Sequence, residues 1–351
     1  MTGNLFLSLR NLALKSVLTL QAAGVLLRHW RGQEPGHPEW QKLLRLHCMT
    51  NGVSTEIARK AMGLLNPAPS APRSFKSMFG DFDAAATTRI AGQIRRNGYY
   101  ILPSRVPEDI CDEIAAGVRS YQGWTWYDAA GPHTIAQFDP DHLEAARYVL
   151  PEAEIWKIKA YQRIIADPFF VNLSQAYFGS VAALKEIGLW WSPAIKNRAA
   201  DAEAAQMFHF DYDAAPVWLK FFVYLNDIGP QNGPHVFVKG TNRLGQDKSR
   251  DILSRGYVRL SDEEIAQTYG AENILEMTGL KGAVFAVDTM GFHKGKQPAV
   301  GHRLLAQLEF ASPLFVPARS HPLPLPANAI ADLLAAKAAQ PGAFARFPTA
   351  T

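Results

Sequence analysis

Six short segments in the second half of the chain constrain the fold more than any other feature. Each is rich in β-branched and aromatic residues and is bounded by Gly, Pro, Asn or Asp, a pattern typical of strands. The segments are LKEIGLWWS, QMFHFDY, VWLKFFVYLND, HVFVKG, GAVFAVD and HRLLAQLEFA. We therefore predict a mainly β fold with flanking helices (α+β), built on a double-stranded β-helix, a jelly roll of cupin type with about eight short antiparallel strands.

The chain divides into three predicted parts. With 351 residues, 48% of them hydrophobic, it is long enough to bury a sizeable core. We expect a helical region over residues 1–95 and the β-helix domain over residues 96–315. A polar insert at residues 243–278 interrupts that domain and is predicted to be partly helical. The Pro/Ala-rich tail, residues 316–351, is predicted to contain one helix.

Charge and cysteine content exclude some classes of function. The net charge is only +4, and no run of like charges indicates a nucleic-acid site, so we predict a small-molecule partner and no nucleic acid. The two cysteines, Cys48 and Cys111, form no CxxC pattern and no disulfide framework. A reducing compartment is the simpler interpretation, and we predict a cytoplasmic location.

Residues 4–31 form the most hydrophobic segment of the chain. Its polar residues recur at intervals of three and four, which predicts a helix with one narrow polar stripe. Two alternatives follow: the helix packs on the protein body, which we favour, or it makes weak contact with a membrane surface through its apolar face. Lys15 and Gln21 interrupt the run, which argues against a spanning helix, and no basic residue precedes it as in a signal peptide.

His209 and Asp211 stand one residue apart within the aromatic segment QMFHFDY, where each is costly to bury without a partner. On a strand, residues i and i+2 lie on one face, so the imidazole and the carboxylate are adjacent. His293, on a later predicted strand, supplies a third donor. Two histidines and one carboxylate on one side of a metal suit non-haem Fe(II) and its oxygen chemistry. We predict these three residues as the metal ligands and the catalytic centre.

Arg303 lies ten residues after His293. A loop of that length can return the chain so that the arginine enters the pocket from the neighbouring strand. A planar guanidinium can hold a carboxylate through two hydrogen bonds. The pattern therefore suits a dicarboxylic cosubstrate that chelates the metal through a keto acid at one end and binds Arg303 at the other.

The segment from Asn97 to about Ser312 resembles the phytanoyl-CoA dioxygenase family of Fe(II)/2-oxoglutarate-dependent oxygenases. The likeness is carried by NGYYILPSRVPEDICDEI, HFD, FVYLNDIGPQNGPHVFVKGTNR and GAVFAVDTMGFHKGKQPAVGHR. By position, His209, Asp211 and His293 match the iron ligands, and Arg303 matches the residue that binds the distal carboxylate of 2-oxoglutarate. The resemblance implies Fe(II), 2-oxoglutarate and O2 as cofactor and cosubstrates. Because the acidic ligand is present, it favours hydroxylation over halogenation.

The chain departs from the family pattern at several positions. It has KGTN at residues 239–242 where the family has P-G-S-H, and Gly295 and Phe222 where serine and tryptophan are common. The family uses a further basic or hydrogen-bonding residue at the cosubstrate, and the candidates here are Lys157, Lys220 and Gln206. Candidate substrate-lining residues are Trp190, Trp191, Phe222 and His235.

The predicted activity is hydroxylation of an apolar small molecule or acyl substrate, with release of succinate and CO2. The 11% aromatic content suggests the apolar substrate. Desaturation, epoxidation or cyclisation of a natural product uses the same ligands and remains open. Two non-oxygenase alternatives are a small-molecule-binding jelly roll, which has no need for all three ligands plus Arg303, and a zinc hydrolase, which leaves Arg303 unexplained.

Overall fold

The computed structural model describes residues 16–28, 31, 33, 36–126, 134–139, 141, 145–194, 207–212, 216–313 and 322–348. Its helices are α1 (16–28), α2 (His37–Met49), α3 (Val53–Leu65), α4 (Ala84–Asn97), α5 (Glu108–Val118), α6 (Glu152–Ile155), α7 (Lys159–Ala166), α8 (Pro168–Phe178), α9 (Asp247–Ser254), α10 (Asp262–Tyr269) and α11 (Ala331–Ala339). Its strands are β1 (Ser74–Ser77), β2 (Gly80–Asp83), β3 (Tyr99–Ile101), β4 (Gln122–Trp126), β5 (Thr134–Gln137), β6 (Arg147–Val149), β7 (Ala183–Pro193), β8 (Trp218–Tyr224), β9 (His235–Val238), β10 (Ile274–Met277), β11 (Val284–Val287), β12 (His293–Gly295) and β13 (His302–Ala311).

Two antiparallel sheets form the core. The large sheet has eight strands in the order β3-β11-β8-β13-β7-β6-β4-β5, and the small sheet has the order β10-β9-β12. Isolated bridges from His209 to His293 and from Phe208 to Leu260 extend the small sheet. One apolar cluster joins the sheets, with Phe222 and Phe285 from the large sheet and Phe237 from the small one. The predicted double-stranded β-helix is therefore confirmed.

The two faces of the large sheet differ in character. On β13, Leu304, Leu308 and Phe310 belong to the apolar core that the large sheet shares with α4, α5, α7 and α8. Because side chains alternate along a strand, Arg303 and Glu309 point to the opposite face, toward the small sheet. The buried charged side chains of β13 thus lie between the two sheets.

Local signals in the sequence explain where several elements begin and end. Helix α8 begins after Asp167, whose carboxylate accepts a hydrogen bond from the Phe169 amide at 2.9 Å. It ends at Gly179, whose φ of 67° lies in the left-handed region that favours glycine. Strand β3 begins at Tyr99, α5 follows Pro107, and α10 lies within the polar insert that was predicted to be partly helical.

One predicted strand is wrong in part, and the polar insert contains a strand that was not predicted. QMFHFDY does not form a strand in its described part, residues 207–212, because only Phe208 and His209 make bridges there. The chain then turns so that the Asp211 amide donates to the Thr289 carbonyl at 2.7 Å. The polar insert is partly helical, with α9 and α10. Its last residues also form β10, which pairs with β9 in the small sheet.

The N-terminal helix packs on the body of the protein over its described part. Leu18, Ala22 and Val25 of α1 are buried against Leu43 and Leu46 of α2. This is the packing alternative that we favoured, and residues 1–15 of the segment lie outside the described residues. Among the described helices, none is both long enough and apolar enough to cross a membrane.

Candidate metal centre

His209 and His293 face each other across an antiparallel bridge. Each main-chain amide donates to the carbonyl of the other residue, at 3.0 and 2.8 Å, and the ring centroids are 4.4 Å apart. Nδ1 of each ring lies 2.9 Å from a carbonyl two residues earlier, that of Met207 and that of Gly291. A carbonyl accepts only, so Nδ1 carries the proton in both rings and Nε2 is left free to bind a metal.

Asp211 completes the group. Its Oδ1 lies 3.7 Å from Nε2 of His209, and its Oδ2 lies 3.7 Å from Nε2 of His293. One ligand atom from each of the three residues lies within 4.8 Å of the others. Two imidazoles and one carboxylate, all on one side of a common point, fit a non-haem Fe(II) ion that keeps its other positions for small molecules.

The protonation states of the three side chains favour metal binding. Burial, together with the nearby His293, lowers the pKa of His209 to about 3, and burial lowers the pKa of His293. Both rings are therefore neutral at neutral pH, the form that ligates metals. Burial acts to raise the pKa of Asp211, but Lys220 and the two histidines outweigh it and hold that pKa well below its usual range.

A buried ion-pair network supports Asp211 from the large sheet. Nζ of Lys220 donates to Oδ2 of Asp211 at 2.8 Å and lies 3.4 Å from Glu309. Lys185 pairs with the same Glu309 at 2.9 Å. Burial acts to lower the pKa of Lys220, but the carboxylates raise it well above its usual value. Glu309 was not among the predicted site residues, although the even spacing of Glu309 from Arg303 on a predicted strand placed both on one face.

Arg303 lies on the large sheet, opposite the histidines, and not on the neighbouring strand as predicted. Its side chain is 7% exposed and donates to the Gly233 carbonyl, with longer contacts of 3.4 Å to the Lys296 carbonyl and Ser192 Oγ. Among the described residues, its Nε has no hydrogen-bond partner and no carboxylate pairs with it. Burial lowers its pKa. A buried guanidinium without an acidic partner is suited to an anionic ligand.

A cavity of about 560 Å³ opens on the inner face of the large sheet and reaches Lys220. Trp190 and Gln307 line it, and half of its lining residues are charged: Arg147, Glu152, Lys185, Glu186, Lys220 and Arg346. Phe222 and His235 lie on the same side of the sheet, with ring centroids 4.9 Å apart. A larger cavity of about 920 Å³ is lined by residues of α2 and α9. Neither cavity has His209, Asp211 or His293 in its lining.

Two of the predicted site residues lie away from the centre, and a third cannot be placed. Trp191 was predicted to contact substrate, but it belongs to the helix-facing core, where it stacks on Phe138 at 3.8 Å, because it points opposite to Trp190. Lys157 was predicted at the cosubstrate, but it follows α6 at the surface and pairs with Glu154 at 2.9 Å. Gln206 lies outside the described residues.

Thr241 and Asn242, which depart from the family pattern, still support the turn that precedes His293. Thr241 Oγ1 accepts from the Phe292 amide at 2.8 Å, and Asn242 donates to Asp288 at 3.3 Å. Gly291, whose carbonyl orients His293, packs so tightly that a Cβ there would lie 2.4 Å from the Phe237 ring. The turn before His293 is thus fixed from several sides.

Residues 94–298 match the family described as Phytanoyl-CoA dioxygenase (PhyH), over more than half of the chain. The chain belongs to the PhyH family. As a PhyH member it is a non-haem oxygenase, an oxidoreductase that uses Fe(II), 2-oxoglutarate and O2. The binding-protein and zinc-hydrolase alternatives are set aside on this basis.

Solved structures similar to this PhyH-family chain are distant in sequence. EctD from S. alaskensis with bound Fe is 21% identical, with 71% of this chain and 88% of that chain covered and a TM-score of 0.45. The α-ketoglutarate-dependent epimerase SnoN from nogalamycin biosynthesis is 20% identical, with 66% and 84% covered and a TM-score of 0.47. AviO1 from Streptomyces viridochromogenes Tue57 is 16% identical, with 65% and 95% covered and a TM-score of 0.43. No curated protein matches the sequence.

Proposed function

We propose that His209, Asp211 and His293 bind Fe(II), that Arg303 binds the distal carboxylate of 2-oxoglutarate, and that the enzyme hydroxylates a C–H bond of a small molecule. One observation carries the proposal: three metal-ligand atoms lie within 4.8 Å of one another, opposite a buried arginine of the large sheet that has no acidic partner among the described residues. When bound, Fe(II) supplies the activation of O2, with 2-oxoglutarate converted to succinate and CO2.

The side chains around the ligands have distinct roles in this proposal. The Met207 and Gly291 carbonyls keep both ligand imidazoles oriented with Nε2 toward the metal. Lys220, which the sequence placed among the cosubstrate candidates, orients the Asp211 carboxylate through its 2.8 Å hydrogen bond. Phe222 forms an apolar wall between the sheets and limits the access of water to the site.

The cavity of about 560 Å³ is the proposed substrate site, because it reaches Lys220 beside the carboxylate ligand. Its charged lining favours a substrate with polar groups and argues against the wholly apolar molecule or acyl chain suggested by the aromatic content. Glu186 is an exposed side chain that faces this cavity without an ion-pair partner among the described residues, and partial removal from water, together with the neighbouring Glu309, raises its pKa. Such a carboxyl group is suited to exchange a hydrogen bond with the substrate, while Trp190 offers an aromatic surface beside it.

Hydroxylation is the outcome that we propose, with desaturation, epoxidation or cyclisation as the second possibility. All four reactions need the same ligands and cosubstrate. They differ in the mass of the product, since hydroxylation and epoxidation add one oxygen atom whereas desaturation removes two hydrogens. Mass spectrometry of the product from a screen of polar small molecules therefore separates desaturation from hydroxylation directly.

The test of the metal site uses metal-free full-length protein reconstituted with Fe(II) under anaerobic conditions. His209→Ala and Asp211→Ala are expected to abolish 2-oxoglutarate-dependent succinate formation. Arg303→Ala is expected to raise the KM for 2-oxoglutarate at least about 30-fold, because it removes one partner of a buried charge pair. Lys157→Ala, on the surface, is the control and leaves both quantities unchanged. Succinate formation that survives both ligand substitutions contradicts the proposal.

A further inference from the structure

His235 is a buried histidine between the two sheets that the roles proposed so far do not use. Its side chain is 6% exposed, and its main-chain amide donates to the Tyr224 hydroxyl at 2.9 Å. Its ring stacks on the ligand His293, with centroids 5.4 Å apart and an interplanar angle of 27°. On another side it contacts Phe222. The backbone and the ring faces of His235 are thus held in place.

The Nε2 atom of His235 is fully buried and has no hydrogen-bond partner among the described residues. A buried polar nitrogen without a partner is costly, and such groups are rare in folded proteins. A second unpartnered nitrogen, Nε of Arg303, is buried in the same region. Two nitrogens without acceptors between the same two sheets indicate that an acceptor-rich molecule fills the space.

The position of His235 relates this molecule to the metal ligands and to Arg303. Arg303 donates to the carbonyl of Gly233, two residues before His235, and His293 stacks on the His235 ring. His235 therefore lies between the guanidinium and the metal ligands. A dicarboxylate that spans from the metal to Arg303 must pass this imidazole.

We infer that His235 donates a hydrogen bond from Nε2 to a carboxylate oxygen of bound 2-oxoglutarate and so fixes the cosubstrate between the metal and Arg303. The inference rests on the proposed function, because it takes the metal site and Arg303 as the two ends of the cosubstrate. It assigns to this chain a cosubstrate-binding residue on the small sheet, in addition to the arginine on the large sheet.

The experiment measures cosubstrate binding rather than turnover. Full-length protein loaded with Fe(II) is titrated anaerobically with 2-oxoglutarate, and the charge-transfer absorbance of the complex gives the Kd. His235→Leu keeps an apolar side chain against Phe222 but removes the donor, and it is expected to raise the Kd by about 10- to 100-fold, the range for a hydrogen bond to a charged group. The affinity for Fe(II) alone is expected to change far less.

Two amide variants separate hydrogen bonding from packing. His235→Gln places an amide nitrogen near the position of Nε2 and is expected to restore most of the affinity, whereas His235→Asn places it nearer Nδ1 and is not. If the leucine variant fails to fold, as judged by circular dichroism, the comparison of Gln with Asn carries the test. A Kd in His235→Leu within threefold of the wild type, or equal affinities in the two amide variants, overturns the inference.

A second ligand shows which carboxylate His235 contacts. 2-Oxopentanoate has the keto acid of 2-oxoglutarate but no distal carboxylate. Equal binding of 2-oxopentanoate by wild type and His235→Leu assigns the hydrogen bond to the distal carboxylate, and a loss with both ligands assigns it to the carboxylate at the metal. A wild-type protein that shows no charge-transfer band overturns the metal site itself, whereas a normal band with unaffected variants overturns only the role of His235.

Discussion

His47 of helix α2 offers a quantitative test of how the helical region supports the metal centre. It is 2% exposed, its Nδ1 lies 2.8 Å from the Thr55 hydroxyl, and its ring contacts Phe210 and Tyr212, which flank Asp211. Burial lowers the pKa of His47 from its usual 6.5 to about 4, with a smaller contribution from Arg59. The folded protein therefore holds this ring in its neutral form.

The sign of the pH effect follows from that shift. Above pH 6.5 neither the folded nor the unfolded chain protonates His47, so the ring costs no stability there. Between pH 6.5 and 4 the unfolded chain binds the proton and the folded chain does not, so the free energy of unfolding falls as the pH falls. With these two pKa values, lowering the pH from about 7.5 to about 5 removes about 2 kcal/mol of stability through His47 alone.

The substitution His47→Asn keeps an amide near the position of Nδ1, which contacts Thr55, but does not titrate. Urea denaturation of metal-free protein, followed by tryptophan fluorescence at about pH 7.5 and about pH 5, gives the loss of stability for each protein. We expect that loss to be about 2 kcal/mol smaller in the variant. The buried histidines of the metal centre titrate in both proteins, so their contribution cancels. Equal losses, within about 0.5 kcal/mol, refute the burial argument.

Two further predictions concern the large sheet. Lys220→Met removes one partner of a buried ion pair, so we expect about 3–5 kcal/mol less stability and about tenfold weaker Fe(II) binding through the loss of the Asp211 hydrogen bond. Lys157→Met is the surface control for urea denaturation and Fe(II) titration, and an unaltered Fe(II) affinity in Lys220→Met contradicts the role of that residue. Trp191→Ala is expected to cost about 3–5 kcal/mol in the same denaturation assay, because its ring is buried in the core. Trp190→Ala is expected to cost less stability and to raise the KM for the substrate. A larger loss of stability in Trp190→Ala than in Trp191→Ala would contradict the assignment of the two faces of the strand.

Much of the fold and of the centre follows from local patterns. Strands β7, β8 and β13 were predictable because each is a segment rich in large apolar residues. The spacing of His209 and Asp211 and the donor set completed by His293 identified the group that the structure brings together. In each case a few neighbouring residues carry the signal.

The parts that were wrong or missed depend on contacts between distant segments. Trp190 and Trp191 look alike in sequence, and only the pairing register of β7 with β13 decides which one faces the cavity. Lys220 looked like a cosubstrate ligand, because nothing local shows that Asp211 turns toward it. The unpartnered nitrogen of His235 is also invisible in sequence, since a missing hydrogen bond is a property of the packed interior.

Strand β13 holds both ends of the proposed reaction site. Arg303 is near its beginning, and Glu309, which anchors Lys220 beneath the carboxylate ligand, is six positions further on the same face. At about 3.4 Å per residue the two positions are about 20 Å apart along one rigid ladder. An insertion or deletion of one residue between them would turn one of the two side chains into the helix-facing core. The backbone of a single strand therefore sets the position of Arg303 relative to the ion-pair network beneath Asp211.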